Sequence, residues 1–305
     1  MEGYKLNTGA TIPAVGLGTW QADGSSCQAA VAEALKVGYR LVDCAHLYGN
    51  EREVGNALGE AFERGLKREE VFITSKLWCT TGAPKRVTEA VQISLKNLGL
   101  TYLDLYLLHW PVLAPLGDAT DPPPRSSAEV KKPLRRLEET WRAMEKLVEV
   151  GTVRAIGVSN LTVPQVQNIL SFCTIVPAVH QAELHPFWRQ DELVKFCQSK
   201  GIHVSAHTPL GIPGRRLESA PFSEEAPEPK TPLAPSLSRS RSVHAPMLKT
   251  TTIQEIADRL NKTSAQAINS MEPQLQLIEG NHSYLQENGG LQAVEETEDH
   301  EVVEA

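Results

Sequence analysis

Arg40-Leu41-Val42-Asp43-Cys44-Ala45-His46-Leu47-Tyr48-Gly49-Asn50-Glu51 is the stretch from which the fold can be read. Its apolar start predicts a strand, and Asp43 places an acid at the strand's end. Tyr48 follows on a loop beside Gly49, and Asn50 stands where an N-cap belongs, predicting a helix from Glu51. An acid at a strand end followed by a loop tyrosine is how barrel enzymes build their sites. The plain alternative is a capped helix carrying a surface tyrosine, and the flanking text has to decide between them.

Upstream, Asn7-Thr8-Gly9 marks the turn of a hairpin between Tyr4 and Pro13, and Val15-Gly16-Leu17-Gly18 reads as a short buried strand. The Gly-x-Gly there suggests a dinucleotide fingerprint, but the third glycine position is Gln21, so the fingerprint fails. A helix is expected from Gly24 to Lys36, stopped by Gly38. Downstream the same unit repeats. Helices are expected over 51–64, 84–98, 133–150, 163–172 and 191–200, and strands over 71–76, 103–109, 153–159, 178–183 and 202–207. The helix spacing rests on apolar sets such as Leu137, Trp141, Met144 and Leu147. Nearly continuous apolar strands alternating with helices predict a parallel sheet covered by helices, and a run this long predicts an α/β fold of the (β/α)8 TIM-barrel type.

Composition narrows the function. The chain has 305 residues, 41% of them hydrophobic, enough for a large core. A net charge of −7 argues against nucleic acid or an anionic membrane surface as the main partner. Five scattered cysteines without Cys-x-x-Cys spacing read as reduced thiols of a cytoplasmic protein. No signal-peptide run or membrane-length apolar stretch is visible, so the sequons at Asn160, Asn261 and Asn281 read as chance matches.

The chemically useful residues fall where the strands finish. These are Asp43, Lys76, His109, Ser159 with Asn160, and Gln181 to Glu183. In a closed barrel such points converge on one face. Tyr48 could act as a general acid, although an ordinary phenol, with a pKa near 10, is a sluggish donor. A buried ammonium at Lys76 would lower that pKa, Asp43 would hold the ammonium, and His109 would add a hydrogen bond at the substrate oxygen. His180, His185, His203 and His207 raise a metal-hydrolase alternative. The first strand lacks His-x-His and Glu183 has no second carboxylate, so no metal is expected.

Taken together, the motifs resemble the aldo-keto reductase family, most closely its aldose- and aldehyde-reductase-like members. The matching stretches are Gly16-Leu17-Gly18-Thr19-Trp20, Asp43 to Glu51, Ile73-Thr74-Ser75-Lys76-Leu77-Trp78, Asp104 to Pro111, and Ile156-Gly157-Val158-Ser159-Asn160. They come in family order, and the resemblance covers about residues 4–211. It implies NADPH-dependent reduction of aldehydes or ketones, sugars among them, by a monomer acting on small carbonyl molecules. It assigns proton donation to Tyr48, support of that donor to Lys76 and Asp43, and substrate orientation to His109. Thr19, Trp20, Asp43, Ser159, Asn160, Gln181, His207 and Leu210 would contact the cofactor. Trp20, Tyr48, Trp78, His109 and Trp110 would line the substrate pocket.

Beyond Gly211 the text departs from that pattern. His207 stands where the family has a tyrosine stacked on the nicotinamide. Residues 212–246, rich in Pro, Ser and Arg, read as a disordered insertion; 247–270 read as residual barrel helices; 271–305 read as a polar acidic tail. No eighth strand is recognisable, Leu277 and Ile278 being too isolated, and neither is the Lys-Ser…Arg motif that grips the cofactor's ribose phosphate. A barrel left incomplete in this way would expose strand edges and bind NADPH weakly. The alternative expectation is therefore a pseudoenzyme or regulatory binding protein.

Overall fold

The structure, a computed structural model, describes residues 3–78, 84–111, 133–211, 246–270 and 276–279. The predicted hairpin is present: β1 (Gly3–Lys5) pairs antiparallel with β2 (Thr11–Pro13). Eight parallel strands then close a barrel: β3 (Val15–Gly18), β4 (Leu41–Asp43), β5 (Phe72–Leu77), β6 (Leu105–Leu108), β7 (Ile156–Ser159), β8 (Val179–Glu183), β9 (His203–His207) and β10 (Gln276–Glu279). Helices α1 (Gly24–Lys36), α2 (Glu51–Glu63), α3 (Pro84–Leu98), α4 (Pro133–Glu149), α5 (Val163–Leu170), α6 (Asp191–Ser199), α7 (Thr251–Arg259) and α8 (Ser264–Ser270) complete the connections.

Strand parity sorts the side chains. On β4, Leu41 joins the barrel interior and Val42 the layer beneath the helices. On β6, Leu105 and Leu107 go inward while Tyr106 and Leu108 go outward. The interior cluster also takes Leu6 and Ile12 from the hairpin region, with Tyr4 packed against it. That hairpin therefore stops the end of the barrel where the strands begin. The opposite end, where they finish, is left for chemistry. Counting on by twos from the interior leucines reaches Asp43 on β4 and His109 just past β6. The register Lys76↔Leu107 brings Lys76 to the same level, and Ser159↔Gln181 does so across β7 and β8.

The barrel reading of the sequence holds, and its closing strand corrects the expectation of a missing one. β10 pairs with β3 through Leu277↔Val15 and with β9 through Leu277↔Ala206, inside the stretch read as an acidic tail. Two apolar residues between Gln276 and Glu279 carry no period that a sequence window can detect. The ladder partners on both sides supply what local propensity lacks. Among the described residues no helix follows β10. The proposed insertion at 212–246 lies outside the described residues for all but its last residue, Pro246, which opens a short turn at Pro246–Lys249. Among the described residues no helix is long and apolar enough to cross a membrane.

Candidate active site

Lys76 is the centre of the site. It is completely buried at the end of β5, and an ammonium there must find oxygen partners. It finds three: Asp43 Oδ2 at 2.5 Å, the Cys44 carbonyl at 3.1 Å and Tyr48 Oη at 3.3 Å. β4 supplies the first, the chain just beyond it the second, and the short helical turn His46–Tyr48 the third. The turn ends on Gly49, whose φ of 70° is the left-handed conformation that glycine takes without strain. An ammonium can only donate, so the Tyr48 oxygen accepts from Lys76 and its own hydrogen is left to point elsewhere.

The Asp43 carboxylate is shared. Gln181 Nε2 donates to its Oδ1 at 2.9 Å, which turns Gln181 Oε1 away and leaves that oxygen as an acceptor. Thr19 and Asn50 hold the strand end from the other side. The Thr19 amide donates to the Asp43 carbonyl at 3.0 Å, and Asn50 Nδ2 donates to the Thr19 and Ala22 carbonyls at 2.7 and 2.9 Å. Asn50 thus stands at the expected N-cap position of α2, but its side chain makes no capping bond; it ties two loops together instead.

Electrostatics correct one expectation. The Tyr48 phenol is pushed up from its ordinary value, above all by burial. Lys76 pulls it down by charge and hydrogen bond, while Asp43 and Cys44 push it up. The ammonium therefore acts in the expected direction, but desolvation outweighs it. Lys76 itself is held well above the ordinary lysine value: burial opposes its charge, and Asp43 with Tyr48 more than restores it. His109 is driven far below the ordinary imidazole value by burial and by the positive charge of Lys76, and so is neutral. Its ring meets Tyr48 edge-on with centroids 5.7 Å apart and Trp78 at 5.3 Å, and its buried Nδ1 has no hydrogen-bond partner among the described residues.

The remaining predicted residues divide. Ser159, Asn160 and His207 sit beside Gln181 at the strand ends, with Asn160 Nδ2 donating to Ser159 Oγ at 3.0 Å. Trp78 is buried against Leu47 and Trp110, while Trp20 is 37% exposed on the rim. Leu210 instead packs with Met247, Ile253 and Ile268. The late-strand histidines disperse: His203 stacks on Tyr4 at 5.0 Å, His180 Nε2 accepts the Leu161 amide at 3.3 Å, and His207 faces Asn160. Among the described residues no group of His, Cys, Asp or Glu could hold a metal. The four described cysteines, Cys27, Cys44, Cys173 and Cys197, are free thiols, three of them buried.

Sequence reading missed Glu51. As the first residue of α2 it looks like an exposed acid at a helix N-terminus. It is 2% exposed. Ser75 donates to it at 2.7 Å, Asn97 at 3.3 Å, and His46 Nδ1 lies 3.5 Å away. The carboxylate thus joins the turn that carries Tyr48 to the strand that carries Lys76. No local signal distinguishes such a glutamate from a solvated one.

A family model described as "Aldo/keto reductase family" matches residues 14–271. An aldo-keto reductase of family 4 from Arabidopsis thaliana is 48% identical over 69% of this chain and 65% of its own length. A D-galacturonate reductase from Hypocrea jecorina is 45% identical over 71% of this chain and 70% of its own. The solved aldose reductase of Schistosoma japonicum superposes with a TM-score of 0.74 at 38% identity, covering 91% of this chain and 82% of that one. The chain spans about 65% of the length of the plant relative, and the same share of an aldo-keto reductase of family 1 from Rattus norvegicus.

Proposed function

The chain belongs to the aldo/keto reductase family, and on that premise we propose that it reduces the carbonyl group of a small aldehyde or ketone to an alcohol at the expense of NADPH. The observation that carries this reading is the Asp43–Lys76–Tyr48 chain, in which the tyrosine oxygen accepts from a buried ammonium and its hydroxyl hydrogen is free.

The residues present fit a nicotinamide carboxamide. Gln181 Oε1 is turned away from Asp43 as an acceptor, Ser159 Oγ accepts from Asn160 and keeps its own hydrogen to donate, and the two lie side by side in the register. When bound, NADPH supplies the hydride. The chain's own residues handle the proton. Tyr48, its phenol held above the ordinary value, keeps its proton at neutral pH until charge builds on a carbonyl oxygen. The proton then passes from Tyr48 Oη to that oxygen. The phenolate left behind lies 3.3 Å from the Lys76 ammonium, so stabilisation is strongest where negative charge develops. His109, neutral, has Nε2 left to donate to the same oxygen. Trp20, Trp78 and Trp110 offer apolar walls for the rest of the substrate. The reading is that of a cytoplasmic monomer using small carbonyl substrates.

The test is NADPH oxidation with a broadly accepted aldehyde, alongside a fluorescence titration of NADPH. Tyr48→Phe should lower kcat by about a hundredfold or more while leaving NADPH affinity nearly unchanged. Turnover undiminished in Tyr48→Phe, or no turnover in a folded wild type that binds NADPH tightly, rejects the reductase reading. The raised Tyr48 phenol favours a second reading, a non-catalytic binding protein on the same scaffold. That reading predicts no turnover at any pH with any carbonyl tried.

A further inference from the structure

We propose that His207 is a positioning residue of the nicotinamide subsite, its imidazole N–H fixing the orientation of the Asn160 side-chain amide. The inference rests on the cofactor reading above and adds a residue that acts through another.

The bonding can be followed from one fixed point. The His109 carbonyl can only accept, and Asn160 Nδ2 lies 3.0 Å from it and 3.0 Å from Ser159 Oγ. The amide nitrogen must therefore face His109, which aims Asn160 Oδ1 at His207 Nε2, 3.0 Å away. An amide oxygen can only accept, so His207 Nε2 carries the hydrogen. Burial pulls the His207 pKa down to about 4, with Lys76 and His185 adding to it and Glu183 and Asp43 opposing, so the ring is neutral and holds a single hydrogen. Its Nδ1 must then accept, and the Thr208 hydroxyl stands 2.9 Å from it as the donor. Every donor and acceptor in the chain Thr208–His207–Asn160–His109 is assigned without ambiguity.

The backbone at two members of this relay is constrained. Asn160 has φ 61° and Thr208 φ 57°. Left-handed backbone is tolerated by asparagine but is an outlier for a β-branched threonine. Such conformations persist only where the surroundings enforce them. With the amide held this way, one lone pair of Asn160 Oδ1 stays open, beside the free Ser159 hydrogen and Gln181 Oε1. A carboxamide finds acceptors for its N–H groups and a donor for its oxygen in a preset geometry. If the amide were free to turn, that pattern would be lost in part of the population, and affinity would fall accordingly.

Two full-chain variants separate this role from ring stacking. His207→Gln keeps an N–H near Nε2 and removes the ring; His207→Phe keeps a ring face and removes the N–H. The hydrogen-bond role predicts an NADPH Kd within about twofold of wild type for His207→Gln. For His207→Phe it predicts a Kd, and a cofactor KM, raised roughly threefold to tenfold with kcat at saturating cofactor little changed. On an Asn160→Ala background His207→Phe should add nothing. The reverse order, with His207→Phe binding like wild type and His207→Gln weakened, or equal weakening of both, overturns the proposal. Nitrogen-15 NMR of the cofactor-free protein gives an independent readout: the Nε2–H tautomer is expected, and an Nδ1–H tautomer overturns the assignment. A wild type that binds no NADPH sinks the cofactor reading, and with it the role proposed for His207, even where the tautomer is as expected.

Discussion

Asp43 and Lys76 form a buried ion pair, and such a pair is more dangerous to break than to replace. Among the described residues, Lys76→Met leaves the enclosed Asp43 carboxylate with the Gln181 amide as its one side-chain partner. A loss of about 3–5 kcal/mol is expected from urea unfolding. Adding Asn at position 43 to that variant (Lys76→Met with Asp43→Asn) removes the stranded charge and should recover most of the loss, while turnover stays absent. Recovery of turnover with stability would mean that the pair is only structural. The raised Lys76 value has a definite sign: its stabilisation is fully present below the unfolded lysine pKa and fades only as pH rises through the higher folded one. The pair therefore does not weaken across the neutral range. At this scale, the identities of Asp43, Tyr48, Lys76 and His109 were legible because each ends or follows a strand. The balance between burial and charge at Tyr48 was not, because desolvation depends on atoms brought in by other elements.

α2 contains two glycines whose fates should differ. An added Cβ at Gly55 would stand 2.5 Å from the Asn97 carbonyl oxygen and 2.8 Å from Leu98 backbone, whereas at Gly59 none of the described residues comes within 4 Å. Replacing glycine by alanine inside a helix is worth about 1 kcal/mol of stability when space allows. Gly59→Ala should thus raise the unfolding midpoint. Gly55→Ala should lower it, since forcing α2 off α3 costs about 1–3 kcal/mol and outweighs the helical gain. Thermal unfolding of the two variants checks both signs, and a stabilised Gly55→Ala would show that the helices can separate cheaply. The helix was readable from its start, Asn50 before Glu51, and the structure shows Val54, Ala57 and Leu58 to be on its buried face. Its two glycines looked alike in sequence; the neighbour that distinguishes them lies some forty residues further along the chain, on α3. β10 makes the same point for strands, since its membership of the sheet comes from β3 and β9.

Across the whole molecule, burial keeps several histidines uncharged. His180, His203 and His207 are lowered to about 4, each chiefly by desolvation, and His109 falls well below its ordinary value. An unfolded histidine titrates near pH 6.5, so below that point the unfolded chain takes up protons that the folded one refuses. Stability should be level in this respect above about pH 6.5 and fall as pH drops toward 4, by up to about 1.4 kcal/mol per pH unit for each fully buried ring and less for the half-buried His203 and His207. His46 runs the other way, its value raised by the hydrogen bond to Glu51, and as a single exposed ring it offsets little. Urea midpoints at about pH 7 and about pH 5 measure the net effect, and an unchanged or higher midpoint at the lower pH contradicts it. The sequence by itself determined the alternation of strands and helices, the barrel class and the order of polar residues at the strand ends, because these follow from local apolar period and strand parity. Only the tertiary structure decided that four residues near the C-terminus close the ring, that Glu51 is buried, that the Tyr48 phenol is held up and not down, and that His207 faces Asn160. Each of those depends on groups distant in sequence, and the energies of pairing and desolvation exist only once the chain has brought them together.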